Sequence, residues 1–313
     1  MKYSPTQVRR FAEFLNTNAR IRNLPVDLLE KDLWITYILR ELQSLDELKY
    51  LAFKGGSCLV KVYLGYYRFS EDIDLTWFGS QIDRRVFRKR VLGSIMGALG
   101  LEWDKRDGLS TGIAGTHSGG VFSYFLLSPP RNSTTVKLKI TVAFDEKLDF
   151  RPVLSKVNHV PIDNNIKRDA TTTFGETATG YFDVTDVWCY TLKEIACEKI
   201  RALLTRQMQP ARSRDLVDLY KISLSEGLEK TAPPKITRSK LESALRIRAY
   251  RREYTKATQN LAKHLEQLVT ESASDPVFFE RPKLDDLTAF AGELREYIER
   301  HVIFKTQEQQ QRN

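Results

Sequence analysis

Two carboxylates placed two residues apart, Asp72 and Asp74, stand in the run Ser70-Glu71-Asp72-Ile73-Asp74-Leu75. On a strand, residues two apart project to one face, so this spacing sets the two acids side by side and turns Ile73 and Leu75 to the other face. Neighbouring carboxylates repel unless a cation lies between them. Magnesium accepts such oxygens and keeps positions open for phosphate oxygens and water. In a two-metal site, with ions roughly 3.5–4 Å apart, one ion activates an attacking hydroxyl and the other holds a triphosphate. Such a pair can equally be a solvated strand end, and the spacing gains meaning from what precedes it. Gly55-Gly56-Ser57 lies between a strand-like run, KYLAF, and a run that can begin a helix, CLVKVYL. Two glycines let the backbone come close to a bulky ligand. The start of the following helix offers free N–H groups and the positive dipole end to phosphate, and Ser57 adds a hydroxyl. A tight turn needing glycine would look the same in isolation; the two motifs together, both at strand ends, are far more specific.

A third group lies in the second half of the chain. Lys199 follows Glu198 on a helix with Ile195, Ala196, Ile200, Leu203 and Leu204. It reads either as a solvent-facing lysine or as a point charge against a triphosphate. Asp215 and Asp218 are one helical turn apart and share a face. They either complement the helix dipole or supply a further acidic group that reaches the metal or fixes Lys199. Arg246, Arg248, Arg251, Arg252 and Lys256 can form a basic track for an RNA backbone, and Arg84, Arg85, Arg88, Lys89 and Arg90 a similar second one; either can also be simply a solvated face. Tyr63, Tyr66, Tyr67 and Phe69 flank the acidic pair and could stack a base, though core packing is their more ordinary role. The four histidines show no ligand spacing. Ser70 sits two residues before Asp72, where a phosphate would set about −1.5 to −2 charges beside the carboxylates, a possible off-switch.

The elements that would position these groups follow from periodicity. Residues 24–45 carry one helical apolar stripe, and 49–53 and the IDLTWF run are short strands. Residues 83–99 read as a basic amphipathic helix ending at Gly100, 101–130 as strands joined by loops, and 136–144, VKLKITVAF, as an alternating strand. Residues 151–182, rich in Asn, Thr, Gly and Asp, read as mostly irregular. From Thr185 onward the pattern is almost wholly helical, with helices near 190–206, 213–226, 236–253, 255–272 and 284–303, and a Gln-rich tail after Lys305. The fold class is therefore α/β (α+β), a mixed β-sheet with flanking helices followed by a C-terminal helical domain, divided into 1–180 and 181–313.

Composition bounds the rest. With 313 residues, 42% hydrophobic and 28% charged, the chain has a globular profile. No apolar run reaches the roughly 18 residues of a membrane span, and MKYSPTQVRRFAEFL lacks a signal-peptide core. Cys58, Cys189 and Cys197 form no CxxC pair, so neither a disulfide framework nor a zinc site is expected, and a reducing cytoplasm fits. The net charge of +9 favours polyanionic partners. Between Arg201 and Lys256 there are 14 Lys and Arg against 6 Asp and Glu, so the excess sits mainly in the second half.

EKDLWITYILREL, FKGGSCLVKVYLGYYRFSEDIDL, EIACEKIRALLTR and SRDLVDLY together resemble the AbiEii/AbiGii family of nucleotidyltransferase toxins, over about residues 24–225. The resemblance implies the nucleotidyltransferase fold shared with DNA polymerase β, Mg²⁺, a nucleoside triphosphate (NTP) substrate, and a cognate antitoxin from the same operon. It places Gly55, Gly56 and Ser57 on the phosphate-binding motif, Asp72 and Asp74 on the metal motif, Lys199 on a nucleotide-binding lysine and Asp215 on the aspartate of an RD motif. It also implies nucleotide addition to an RNA acceptor, most plausibly the tRNA 3′ end, with translation blocked. In one respect the chain departs from the pattern. Where many nucleotidyltransferases carry a third carboxylate on a later strand, VKLKITV offers Lys137 and Lys139, and Asp145 and Glu146 come only at its end. Asp215, Asp145 or proton loss to water remain open as the route for the base. Transfer to a protein or small molecule, and a non-catalytic nucleotide- or RNA-binding regulator, remain the competing functions.

Overall fold

The computed structural model describes residues 3–19, 25–44, 50–80, 87, 90, 93–103, 113–117, 120–128, 136–144, 146–183, 185–205 and 213–303, with backbone only at 103, 113–117 and 120–128. The chain divides into two compact units. The first comprises Met1–Glu146 and Arg151–Tyr190, the second Lys147–Phe150 and Thr191–Asn313. The chain passes from the first unit to the second at Tyr190–Thr191, just after residues 185–189 form a strand of the sheet.

The first unit holds helices α1 (Pro5–Asn18) and α2 (Val26–Ser44), then strand β1 (Leu51–Lys54). A helical turn α3 (Gly55–Cys58) runs on as a π-helical segment (Leu59–Leu64) before β2 (Asp72–Trp77). Next come α4 (Gly93–Leu99), β3 (Glu102–Trp103), β4 (Ile113–His117), β5 (Gly120–Ser128) and β6 (Leu138–Phe144). β7 (Val153–Val157), α5 (Asn164–Phe174), α6 (Glu176–Phe182) and β8 (Thr185–Cys189) complete it. Among the described residues the mixed sheet has eight strands in the order β3-β5-β6-β2-β1-β8-β7, with β4 paired to β5. β2 lies near its middle, antiparallel to β1 and parallel to β6.

The alternation in β2 and β6 is the reason they sit there. Ile73 and Leu75 are buried, and so are Leu138, Ile140 and Val142 on β6. One face of each strand thus enters the core, where each such side chain contributes about 1.5–3 kcal/mol. α2 is buried on nearly every side, so its charged residues need internal partners. Glu30 accepts from Arg9 (3.0 Å) and from the Trp34 indole (3.3 Å). Asp32 accepts from Lys61 (2.7 Å) and Tyr181 (2.7 Å) and from Tyr66 (3.1 Å), tying α2 to the π-helical segment and α6. Burial lowers the Lys61 pKa, and Asp32 opposes that shift.

The expectation that 151–182 is irregular does not hold. The Asp163 side chain accepts the Asn165 N–H (2.7 Å) and caps α5, and Gly175, at φ 53°, separates α5 from α6. Few apolar residues suffice because Phe174, Tyr181 and Phe182 ring Phe11 of α1 at centroid distances of 5.2–6.0 Å. Of the expected basic helix over 83–99, the described residues Phe87, Arg90 and Gly93–Leu99 are helical. Arg84, Arg85, Arg88 and Lys89 lie outside the described residues, and so do Asp145 and the Gln-rich tail.

The second unit is helical. It contains α7 (Leu192–Thr205), α8 (Ser213–Glu226), α9 (Leu228–Thr231), α10 (Pro234–Ala244), α11 (Arg248–Gln259), α12 (Leu261–Ser274) and α13 (Leu284–Tyr297), which continues as a π-helical turn (Ile298–Val302). The single helix expected over 236–253 is two helices. Ile247, in extended conformation (φ −89°, ψ 122°), breaks the run and starts α11. Cys58, Cys189 and Cys197 are free and buried. Among the described residues no helix is long and apolar enough to cross a membrane.

Candidate active site

In the first unit the glycine turn and the acidic strand meet. β1 and β2 pair with Phe53 opposite Leu75 and Lys54 opposite Asp74, so α3 begins beside Asp74. Gly55 has φ +76°, and a Cβ there would stand 2.6 Å from Oδ2 of Asp74. A Cβ on Gly56 would overlap the Arg68 guanidinium and lie 3.0 Å from the Ser70 hydroxyl. The two glycines are therefore required by what is laid against them: a carboxylate on one and a guanidinium on the other. Arg68 is buried, donates to the Phe69 carbonyl (2.8 Å), and stands 5.8 Å from the Tyr67 ring centroid.

Ser57 is buried. Its hydroxyl donates to the Asp72 backbone carbonyl and lies 2.8 Å from Oγ of Ser70. A hydroxyl has one proton, so this side chain anchors the turn to β2, and Ser70, half-buried, sits at the same junction.

Asp72 and Asp74 share the partly exposed face of β2, while Ile73 and Leu75 are in the core. Parallel pairing with β6 aligns Asp72 with Lys139 and Asp74 with Thr141. The Lys139 ammonium lies 3.5 Å from Oδ2 of Asp72, and both side chains remain open, at 40% and 46% exposure. Loss of solvation raises the Asp72 carboxyl above its ordinary range, Lys139 opposes this, and the Asp74 charge adds to it. At this register β6 thus presents a lysine and a threonine. Among the described residues no cluster of three His, Cys, Asp or Glu forms a metal cage. Two carboxylates nevertheless suit Mg²⁺, which is ordinarily held by one or two carboxylates, substrate phosphates and water.

Behind the acids lies a group that periodicity does not reveal. Lys54, next to Gly55, pairs with Glu146. Oε2 of Glu146 also accepts from Thr76 (2.7 Å) and Tyr190 (2.9 Å), and the Thr76 and Tyr190 hydroxyls are 2.7 Å apart. Thr76 stands two residues beyond Asp74 on the same strand, so this buried network fixes β2 just beyond the acids. The signal available in the sequence was slight: a lysine directly before the glycines and an acid just after β6.

The flanking aromatics mostly serve the core. Tyr67 and Phe69 are buried, the Tyr63 hydroxyl donates to the Tyr190 carbonyl (2.6 Å), and Tyr66 belongs to the Asp32 group.

In the second unit Lys199 is buried. It pairs with Asp215 (2.9 Å) and Asp218 (2.5 Å), so α7 and α8 are joined through one lysine and the acid pair of a single helical turn. The expected pairing of Lys199 with Asp215 is present, and the solvent-facing reading of Lys199 is not. Arg248, Arg251, Arg252 and Lys256 are exposed on α11 at helical spacing, and Arg246 precedes that helix. Lys256 is 3.1 Å and Arg252 3.2 Å from Glu253. His159, His264 and His301 share no site.

Comparison with known proteins follows this geometry. The family model for the nucleotidyl transferase AbiEii toxin of type IV toxin–antitoxin (TA) systems matches residues 37–300. Two solved structures from Helicobacter pylori are similar in outline. JHP933 has 15% identity and a TM-score of 0.48, over 88% of this chain and 95% of its own. A protein described as a candidate nucleotidyltransferase has 15% identity and a TM-score of 0.46, over 90% of this chain and 100% of its own. No curated protein matches.

Proposed function

This chain belongs to the AbiEii family of nucleotidyl transferase toxins from type IV toxin–antitoxin systems, and from that premise we propose that it transfers a nucleoside monophosphate from an NTP to the 3′ acceptor end of tRNA, and so blocks translation. The observation that carries this reading is the meeting of Gly55 and Gly56 with Asp74 beside Asp72 on one open strand face.

In this reading Asp72 and Asp74 would hold Mg²⁺, which would supply charge stabilisation to the phosphoryl group and acidify an attacking hydroxyl. The missing Cβ atoms at Gly55 and Gly56 let the Asp74 carboxylate and the Arg68 guanidinium lie against the turn, and in this reading the backbone around Gly55, Gly56 and Ser57 meets the phosphates beside them. The Ser57 and Glu146 bonds keep the turn and β2 in fixed register, so reacting oxygens meet a preformed surface. Lys199, oriented by Asp215 and Asp218, supplies positive charge for the triphosphate. Asp215 serves as an orienting group or as the base. The exposed cations of α11 follow an RNA backbone, a surface that a small acceptor does not need. Phosphorylation of Ser70, which is bonded to Ser57 at the head of β2, switches the site off by adding negative charge beside Asp72. A cognate antitoxin from the same operon and a cytoplasmic location complete the proposal.

The test is incubation of the protein with each labelled NTP and purified tRNA or total RNA, with and without Mg²⁺, beside a protein-only control. Label on RNA that needs Mg²⁺ is the expected result. Label on protein alone would reject the RNA acceptor, and no label on any acceptor would reject transfer.

A further inference from the structure

Two lysines flank the acidic pair in strand register, and the fold treats them differently. Lys54, opposite Asp74 on β1, is turned to the buried Glu146. Lys139, aligned with Asp72 on β6, points its ammonium at Oδ2 of Asp72 at 3.5 Å. The Lys54 pair is enclosed, with side-chain exposures of 14% and 2%, whereas the Lys139 pair is open. An open ion pair is held weakly and can exchange partners.

We propose that Lys139 is a built-in counter-ion which an incoming metal must displace, so that the free protein binds a divalent cation weakly and fills its site when cation and triphosphate arrive together. This rests on the reading of the site as one for metal and NTP. The charge balance supports it. Asp72, Asp74 and Lys139 leave a single net negative charge, and the nearby Glu71 carboxylate is paired with Lys31, so the face is a poor attractant for a bare dication. A cation that arrives on a triphosphate brings anionic oxygens with it. Lys139 then exchanges the Asp72 carboxylate for a phosphate oxygen, which an ammonium on a flexible stem meets as a point charge. Lys139 thereby becomes a positioning residue for the nucleotide, and metal and nucleotide binding become mutually dependent.

Mn²⁺ titration of the full chain, with free ion followed by electron paramagnetic resonance, tests this with and without a non-hydrolysable NTP analogue. Without nucleotide, Lys139→Met is expected to bind Mn²⁺ about tenfold more tightly than the wild type, the scale on which a neighbouring charge alters a carboxylate's affinity for a cation. Lys139→Glu is expected to bind it more tightly still. With the analogue present, the gap between wild type and Lys139→Met is expected to close. Equal or weaker Mn²⁺ binding by Lys139→Met without nucleotide would overturn the proposal, as would unchanged binding in Asp72→Asn. Both Lys139 variants retain a long side chain at an exposed position, and matching thermal melts establish that they fold. Label transfer by the wild type, measured alongside, separates the two levels. A protein that transfers label but shows no tightening in Lys139→Met loses only the role of Lys139. A protein that transfers none loses the nucleotidyl-transfer reading itself.

Discussion

Asp72 and Asp74 in the first unit and the acids around Lys240 and Lys199 in the second are both set against lysines, but to opposite effect. In the first unit Asp72 and Asp74 stand on the open face of a strand, with one exposed lysine at 3.5 Å from Asp72. In the second, Lys240 lies 2.6 Å from Glu194, 3.1 Å from Glu198 and 3.7 Å from Asp149, and Lys199 is held by Asp215 and Asp218. Glu194 is wholly buried and also accepts the backbone N–H groups of Asp149 (3.4 Å) and Phe150 (3.2 Å). Burial raises its carboxyl pKa and Lys240 opposes the shift, the same pair of causes that acts on Asp72. What separates the regions is the extent of compensation. The buried acids of the second unit are enclosed by lysines and amides, and their charge holds helices together. The acids of β2 keep an open side for a cation from solution. Similar residues thus hold helices together where their partners are internal, as around Lys240, and keep a side open for a cation where a partner must come from outside.

This contrast can be broken by mutation. The largest effect is expected at the open pair. Asp72→Asn or Asp74→Asn should lower label transfer about a thousandfold, roughly 4 kcal/mol of transition-state stabilisation, while the thermal midpoint stays level or rises as carboxylate repulsion is relieved. Transfer within tenfold of wild type would remove these residues from the chemistry. The enclosed acids are expected to behave in the reverse way. Asp218→Ala should cost about 3 kcal/mol of stability by urea denaturation, because it strips a buried partner from Lys199; a loss below about 1 kcal/mol would undo the contrast. Gly55→Ala lies between the two. It places a Cβ at positive φ and against Asp74, so about 1–2 kcal/mol of stability is expected to be lost, together with about a tenfold fall in transfer as Asp74 is pushed aside.

The smallest effect concerns His264, buried in α12 and lowered in pKa first by loss of solvation. Below its ordinary value near 6.5 the unfolded chain takes up a proton that the folded chain resists. The stability it allows is therefore complete above that pH and is lost as pH falls toward the lowered value. Denaturation midpoints measured from pH 7 to 5 should decline less steeply in His264→Gln, by up to about 1 kcal/mol. Equal slopes would show that another group controls the acid side.

Local pattern was enough for some of this. A period of two placed Asp72 and Asp74 together, opposite Ile73 and Leu75, and a run of helices was legible from apolar spacing, though it was expected from Thr185, where a strand of the sheet stands, and begins at Leu192. Other features depended on residues distant in sequence. Helices α5 and α6 have few apolar residues of their own and close around Phe11, more than 150 residues earlier in the chain. The break at Ile247 interrupts a run that composition alone presents as continuous. Glu146 follows β6 without periodic meaning, and its partners Lys54, Thr76 and Tyr190 come from three separate places in the chain.

What the amino-acid order determined by itself was which residues share a face and where the backbone needs glycine, because both depend on neighbours within a few positions. Which lysine stands against which carboxylate was decided only by tertiary structure. Strand register between β2 and β6 put Lys139 beside Asp72, while burial and the network around Glu146 drew Lys54 away from Asp74. Such pairings are set by hydrogen bonds between distant segments, and nothing local encodes them.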